Sequence, residues 1–256
     1  MQESIRLLIL AILVTFSSLA SGQIYVASSA GGYVGKYTTS GATVNSTLIS
    51  GLGYPWGMTW DGNSTIYIAQ EGSRSVGTYG ISGTPINSSL ITVGGDPEGV
   101  ALDGNGHIFV YDAYFNTVGE YTTSGVAINT SLITSLPGGG FGSIVSDGSG
   151  HLFIANSGSG HISEYTTSGT LLNASLISAK DVYAMACRNG DLFLTYDGIV
   201  SEYTTSGATV NASLISGLDS REFGIAVDGN NHIFFTAIPY AGRSGVKRFV
   251  SSGSGG

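Results

Sequence analysis

One short element recurs along this chain and constrains what it can fold into. Tyr37-Thr-Thr-Ser-Gly41 returns at residues 121–125, 165–169 and 203–207, with worn copies at Tyr79-Gly-Ile-Ser-Gly83 and Phe249-Val-Ser-Ser-Gly253. Successive copies begin 42, 42, 44, 38 and 46 residues apart. A period near forty marks a repeat architecture, in which each unit stacks on its neighbours because it cannot bury its own apolar faces alone.

A single unit reads as four strands. In residues 99–133, Gly99-Val-Ala-Leu102 ends at Asp103-Gly104, and His107-Ile-Phe-Val-Tyr111 follows. Val118-Gly-Glu-Tyr-Thr-Thr123 then ends at Ser124-Gly125, and Ala127-Ile-Asn-Thr-Ser-Leu-Ile133 closes the unit. Each run has strand length and β-branched or aromatic content, bounded by turn residues whose glycine supplies positive φ. No helical stripe of useful length occurs outside the N-terminal segment. The unit is therefore an antiparallel meander of strands A, B, C and D. B and C patterns occur six times, A and D five times. This predicts an all-β fold, a six-bladed β-propeller of four-stranded antiparallel blades, with the terminal blade incomplete.

The A–B unit, as in Gly224-Ile-Ala-Val-Asp-Gly-Asn-Asn-His-Ile-Phe-Phe235, resembles an NHL-type propeller repeat. It is also similar to the repeats of streptogramin-lyase-like (virginiamycin B lyase) and SMP-30/gluconolactonase-type propellers. The resemblance implies a metal-assisted acid–base site in the propeller mouth. No set of positions here matches those His/Glu or Glu/Asn/Asp constellations residue by residue, so no catalytic residue is assigned.

Residues 1–22 have the order of a secretory leader: a short n-region with Arg6, an apolar run at residues 7–16, then small residues, with cleavage expected after Ala20 or Gly22. The run is shorter than the roughly 20 residues that span a bilayer. The propeller is expected over residues 23–250, with a Gly/Ser tail at 251–256. A net charge of −8 argues against nucleic acid as a partner. The single cysteine, Cys187, leaves no internal disulfide framework and reads as a small strand hydrophobe.

Strand alternation divides the turns between two faces. A–B and C–D turns are monotonous Asp-Gly and Ser-Gly pairs; D–A and B–C loops differ from blade to blade. Variable loops on a constant scaffold are where binding groups are usually placed. That face carries the candidate ligand-binding residues Tyr54, Trp56, Asp96, Glu98, Asp112, Tyr114, His161, Asp219, Arg221 and Glu222, together with Glu71, Arg74 and Asn116. Such a set suits a small molecule, a glycan or a peptide; no cofactor is required, though the carboxylates also suit a divalent cation such as Ca²⁺ or Mg²⁺. His107, His151 and His232 share one repeat position on the monotonous face and read as scaffold. Asn45, Asn87, Asn129, Asn173 and Asn211 begin N-x-S/T triplets and are expected at the C–D turn. The leading expectation is a secreted, monomeric, non-catalytic binding or surface-associated module of bacterial origin. The alternatives are a metal-assisted lyase or lactonase with His161 and rim carboxylates, and a structural protein of the cell envelope.

Overall fold

The computed structural model describes residues 13–16, 22–138, 140, 142–218, 220–221, 224–239 and 245–250. These form six antiparallel sheets in a ring, with no helix among them. The first blade contains β1 (Leu13–Phe16), β2 (Gln23–Ser28), β3 (Tyr33–Thr38) and β4 (Thr43–Ser50). The second contains β5 (Pro55–Trp60), β6 (Thr65–Gln70), β7 (Ser75–Gly80) and β8 (Pro85–Thr92). The third contains β9 (Pro97–Leu102), β10 (His107–Asp112), β11 (Thr117–Thr122) and β12 (Ala127–Ile133). The fourth contains β13 (Gly142–Ser146), β14 (His151–Asn156), β15 (His161–Thr166) and β16 (Leu171–Ser178). The fifth contains β17 (Ala184–Arg188), β18 (Asp191–Tyr196), β19 (Ile199–Thr204) and β20 (Thr209–Ile215). The sixth contains β22 (Ile225–Val227), β23 (His232–Pro239) and β24 (Gly245–Val250), with the two-residue β21 (Ser220–Arg221) paired to the end of β23.

The A strands line the axis in the order β1, β5, β9, β13, β17, β22, and β22 meets β1 to close the ring. The sequence pattern places the first strand of the fold at B. The structure instead fills the first blade's A position with Leu13–Phe16, paired to β2 from Leu13↔Val26 to Phe16↔Gln23. The apolar run that suits a leader also suits a strand at the ring axis, so composition alone does not separate the two.

The recurring Tyr…Ser-Gly element does more than turn the chain. Its tyrosine is buried against the Leu-Ile pair that ends the D strand of the preceding blade. Leu48 and Ile49 pack with Tyr79, Leu90 and Ile91 with Tyr121, Leu132 and Ile133 with Tyr165, and Leu176 and Ile177 with Tyr203. Leu214 and Ile215 meet Phe249 in the same way. The glycine completes the contact. A Cβ on Gly125 would lie 2.5 Å from the carbonyl oxygen of Leu90, and one on Gly169 or Gly207 would lie 2.7 Å from that of Leu132 or Leu176.

Asn45, Asn87, Asn129, Asn173 and Asn211 lie inside the D strands rather than at the C–D turn. Each sits at a register shift of the C–D ladder, for instance between Lys36↔Asn45 and Val34↔Ile49. Its Oδ1 accepts the N–H of the residue two further on, at 3.0 Å for Asn45 and 3.1 Å for Asn87. The asparagine side chain thus replaces a ladder bond that the bulge removes.

The glycine contact gives a direct test. Gly41 and Gly125 have nearly the same φ, 88° and 87°, but a Cβ on Gly41 meets nothing within 4 Å among the described residues. Gly41→Ala should cost only the left-handed backbone strain, about 1–2 kcal/mol. Gly125→Ala should cost at least about 1 kcal/mol more in urea unfolding, because it also pushes two blades apart. Equal costs would remove the inter-blade role of the glycine.

Candidate functional site

The A strands enclose a central channel of about 250 Å³, lined by Met58, Val100, Ile144, Met185 and Ile225 and their backbone neighbours. The strands approach closely because the residues at one axial level are small. A Cβ on Gly57 would lie 2.4 Å from the Glu98 carbonyl oxygen, and one on Gly99 2.8 Å from Ile144. One residue earlier, at the variable face, the lining becomes chemically distinct: Trp56, Glu98, Gly142 and Tyr183.

Trp56 and Glu98 are both buried, Glu98 to 9% exposure. The Trp56 indole N–H donates to Glu71 Oε2. Glu98 Oε2 accepts the N–H of Gly142 at 3.0 Å. Burial pushes the Glu98 carboxyl up to about 8; the Gly142 bond opposes this, and the negative charges of Glu71, Asp96 and Asp112 add to it. At neutral pH Glu98 is thus mainly a neutral acid, able to donate a hydrogen bond at the channel mouth.

Asp112 lies nearby with a different task. It is buried at the end of β10 and accepts four backbone N–H groups, from Gly95 (3.0 Å), Asp96 (3.1 Å), Tyr114 (3.1 Å) and Phe115 (3.2 Å). It staples the D–A loop to the B–C loop. Gly95 is required there, since a Cβ would lie 2.2 Å from Asp112 Oδ1. The same strand-end position holds Gln70, whose Oε1 accepts the Gly53 N–H at 3.2 Å, and Asn156, whose Oδ1 accepts the Gly158 N–H at 3.1 Å. Asn156 Nδ2 also donates to the Tyr111 hydroxyl at 3.1 Å and to Asn116 Oδ1 at 3.2 Å, tying the third blade to the fourth.

The structure gathers Trp56, Asp96, Glu98 and Asp112 at one mouth over the second and third blades. Tyr54 and Tyr114 stand on the same face, 59% and 70% exposed, with Phe115 edge-on to Tyr114. His161 is not part of this group. It opens β15, and its Nδ1 lies 2.8 Å from Ser175 Oγ and 3.4 Å from Ser178 Oγ, on the outermost strand of the fourth blade. Asp219 and Glu222 lie outside the described residues, and Arg221 is described only as backbone in β21. Gln70, Tyr111 and Asn156 are contributors that the loop comparison does not reach, because they sit inside B strands. The signal for Gln70 and Asn156 is the variation Ser28, Gln70, Asp112, Asn156, Tyr196 at one otherwise regular position, and for Tyr111 it is a tyrosine one residue earlier, where the other blades have Ala27, Ala69, Ala155 and Thr195. Among the described residues, no cluster of histidine, cysteine and carboxylate side chains has metal-site geometry. Cys187 is half-buried at the other end of its A strand, and burial, aided by Asp147 and Asp191, pushes its thiol up to about 12.

No protein-family model matches the sequence, and no curated protein matches it. Solved structures do match. A catalytically inactive virginiamycin B lyase from Staphylococcus aureus, solved with quinupristin, aligns over 89% of this chain and 77% of its own, at 22% identity and a TM-score of 0.64. A gluconolactonase from Xanthomonas campestris aligns over 88% and 82%, at 13% identity and a TM-score of 0.69. A chain of a nidogen/laminin complex aligns over 79% of each, at 15% identity and 0.66. At these identities the likeness establishes the six-bladed propeller fold; two of the three are enzymes and one comes from a protein–protein complex, so the fold leaves activity open.

Because the Glu98 carboxyl is raised in the folded state, it binds more protons folded than unfolded between the ordinary glutamate range and about pH 8. Its contribution to stability is complete below that window and is lost as pH rises through it. Glu98→Gln keeps an acceptor for the Gly142 N–H and cannot ionise. The melting temperature of the wild type, relative to Glu98→Gln, should fall between pH 5 and pH 9; parallel curves would show Glu98 to be ionised throughout.

Proposed function

We propose that this chain is an exported binding propeller that seats a neutral, hydroxyl-rich ligand, a saccharide in chemical class, at the channel mouth over its second and third blades. The observation that carries this reading is the pairing of Trp56 and Glu98 at the first lining position of adjacent A strands. An indole face packs against the C–H face of a sugar, and a neutral carboxylic acid donates to a hydroxyl or ring oxygen without the cost of burying a charge. The carboxylates of Glu71 and Asp96 supply acceptors beside it, and the exposed rings of Tyr54 and Tyr114 extend the platform.

A second reading has a specific observation in its favour. A protonated Glu98 among carboxylates is the arrangement that separates a general acid from a general base, and lyase and gluconolactonase propellers share the fold. On that reading water attacks the acyl carbon of a cyclic ester or sugar lactone, Glu71 or Asp96 takes the proton that the water loses as its oxygen bonds to that carbon, and Glu98 gives its proton to the ring oxygen as the acyl–oxygen bond breaks.

Titration calorimetry with neutral oligosaccharides, with a turnover assay on lactone and cyclic-ester substrates, separates the two. Saturable binding that Trp56→Ala weakens at least tenfold, that fades above about pH 8 and that Glu98→Gln preserves at high pH supports the binding module. Turnover lost in Glu98→Gln while binding persists supports the enzyme. Absence of both sinks the site. The proposed export would remove β1 with the leader, so the secreted protein's intact mass should begin at Ser21 or Gln23; a mass that includes Leu13–Phe16 would overturn the export and leave β1 in the first blade.

A further inference from the structure

A second cleft, of about 390 Å³, lies at the seam of the second and third blades and shares no lining residue with the central channel. Its floor differs from the equivalent place in the neighbouring blades. In the second blade Gln70 Nε2 donates to the carbonyl of Ser88, the residue after the D-strand asparagine, at 3.3 Å. In the fourth Ser163 Oγ donates to the equivalent carbonyl, of Ala174, at 2.9 Å. The third blade has Asp112 where the second has Gln70, and Gly119 where the fourth has Ser163. Asp112 is committed as an acceptor and glycine has no side chain, so the Thr130 carbonyl in the cleft wall receives no donor from either. The tyrosine shows the same loss. Gln70 bonds the Tyr79 hydroxyl, whereas Tyr121, 6% exposed, has no hydrogen-bond partner among the described residues. Its hydroxyl stands over Gly119, 3.0 Å from where a Cβ would lie.

We propose that this cleft binds a primary alkylammonium ion, its head group among Asp112, Tyr121 and Thr130 and its chain along Val93, Val110 and Phe115. The polar atoms of the floor call for a donor. Asp112 Oδ1 takes three backbone N–H groups, but Oδ2 takes only that of Gly95, which leaves Oδ2 a free lone-pair direction. Burial and the Asp112 charge hold the Tyr121 hydroxyl above its ordinary range, so it stays a neutral group with an oxygen that accepts. An ammonium carries three N–H donors and no acceptor, and so serves Oδ2, the Thr130 carbonyl and the Tyr121 oxygen together.

Charge and shape select the class of ion. No lysine, arginine or histidine lines the cleft, and among the described residues no cation pairs with Asp112. An anion is therefore repelled, and a neutral alcohol gains nothing from the carboxylate. An inorganic cation matches poorly, because Val93, Val110 and Phe115 offer no oxygen to complete its shell. Those same residues suit an alkyl chain. Phe115 is 53% exposed and packs over Gly94, where a Cβ would lie 3.1 Å from its ring, so it edges the cleft with a π-system that also favours a cation.

The test is titration calorimetry of the full chain at neutral pH with three probes of similar length, n-pentylammonium, 1-pentanol and hexanoate. Only n-pentylammonium should bind, at one saturable site. Gly119→Ser installs the residue that the fourth and fifth blades carry as Ser163 and Ser201, and its hydroxyl fills the floor and donates to Thr130. The variant should fold, as its melting temperature will show, and lose about tenfold or more in affinity. Tyr121→Phe keeps the ring against Leu90 and Ile91 and should also lose about tenfold. Phe115→Ala removes an exposed ring and should lose about threefold. Trp56→Ala, at the channel mouth, should leave ammonium affinity unchanged, so failure of this site and failure of the mouth are read separately. The proposal is overturned by absence of n-pentylammonium binding, by equal binding of 1-pentanol, or by folded Gly119→Ser and Phe115→Ala variants that bind as the wild type does.

Discussion

The ring depends on one contact made between blades rather than within them. Each D strand is exposed for most of its length and turns inward only at its final Leu-Ile pair, which inserts against the tyrosine and over the glycine of the next blade. Full burial of an isoleucine is worth about 1.5–3 kcal/mol before ordering costs are counted. Repeated around the ring, these nearest-neighbour terms make a stable object of sheets that are individually unstable. The same contact sets how far neighbouring blades approach one another and so helps fix the width of the channel, where Gly57 and Gly99 sit too close to the next strand to carry a side chain. The channel mouth is thus placed by packing at the outer rim as well as at the axis.

The architecture is legible in the sequence because the strand period and the repeat period are both local patterns. The lock is not. Tyr121 and Gly125 are visible as repeats, as are Leu90 and Ile91, but nothing in the chain says that the one receives the other from the preceding unit. Sequence alone reads Ser-Gly as a turn, which is correct and incomplete. The asparagines mislead in a related way. Asn is favoured at turns, and it is equally favoured wherever a side-chain oxygen must replace a missing ladder partner, which is what the bulges of the D strands require.

The loop comparison points to the variable face but does not sort its residues. His161 reads from the sequence as a loop residue, yet it opens β15 and its imidazole turns outward to Ser175. Asp112 and Glu98 look alike as loop carboxylates on adjacent segments. Their environments separate them: four backbone N–H groups commit Asp112 to holding two loops, while a single N–H leaves Glu98 free to keep its proton. That distinction lies in donor geometry supplied by Gly95, Gly142 and the Tyr114–Phe115 turn, and composition does not encode it.

The opposite face shows the same physics with the opposite result. His107, His151 and His232 each direct Nδ1 to the aspartate four residues earlier, at 2.9, 3.2 and 2.8 Å, and stack edge-on against Phe109, Phe153 and Phe234. Those aspartates also accept the N–H groups of their turns, so the imidazole braces a turn already formed. Above His232 the C strand supplies Arg248, which can only donate, so Nε2 must accept and Nδ1 must carry the proton towards Asp228. In the third and fourth blades Glu120 and Glu164 stand there instead, 3.6 Å from Nδ1. A histidine held by its own blade is scaffold even with a carboxylate beside it. What marks Glu98 as different is that the groups around it, Trp56 with Glu71, Gly142 and Asp112, come from three blades, so the arrangement exists only once the second, third and fourth blades have packed together.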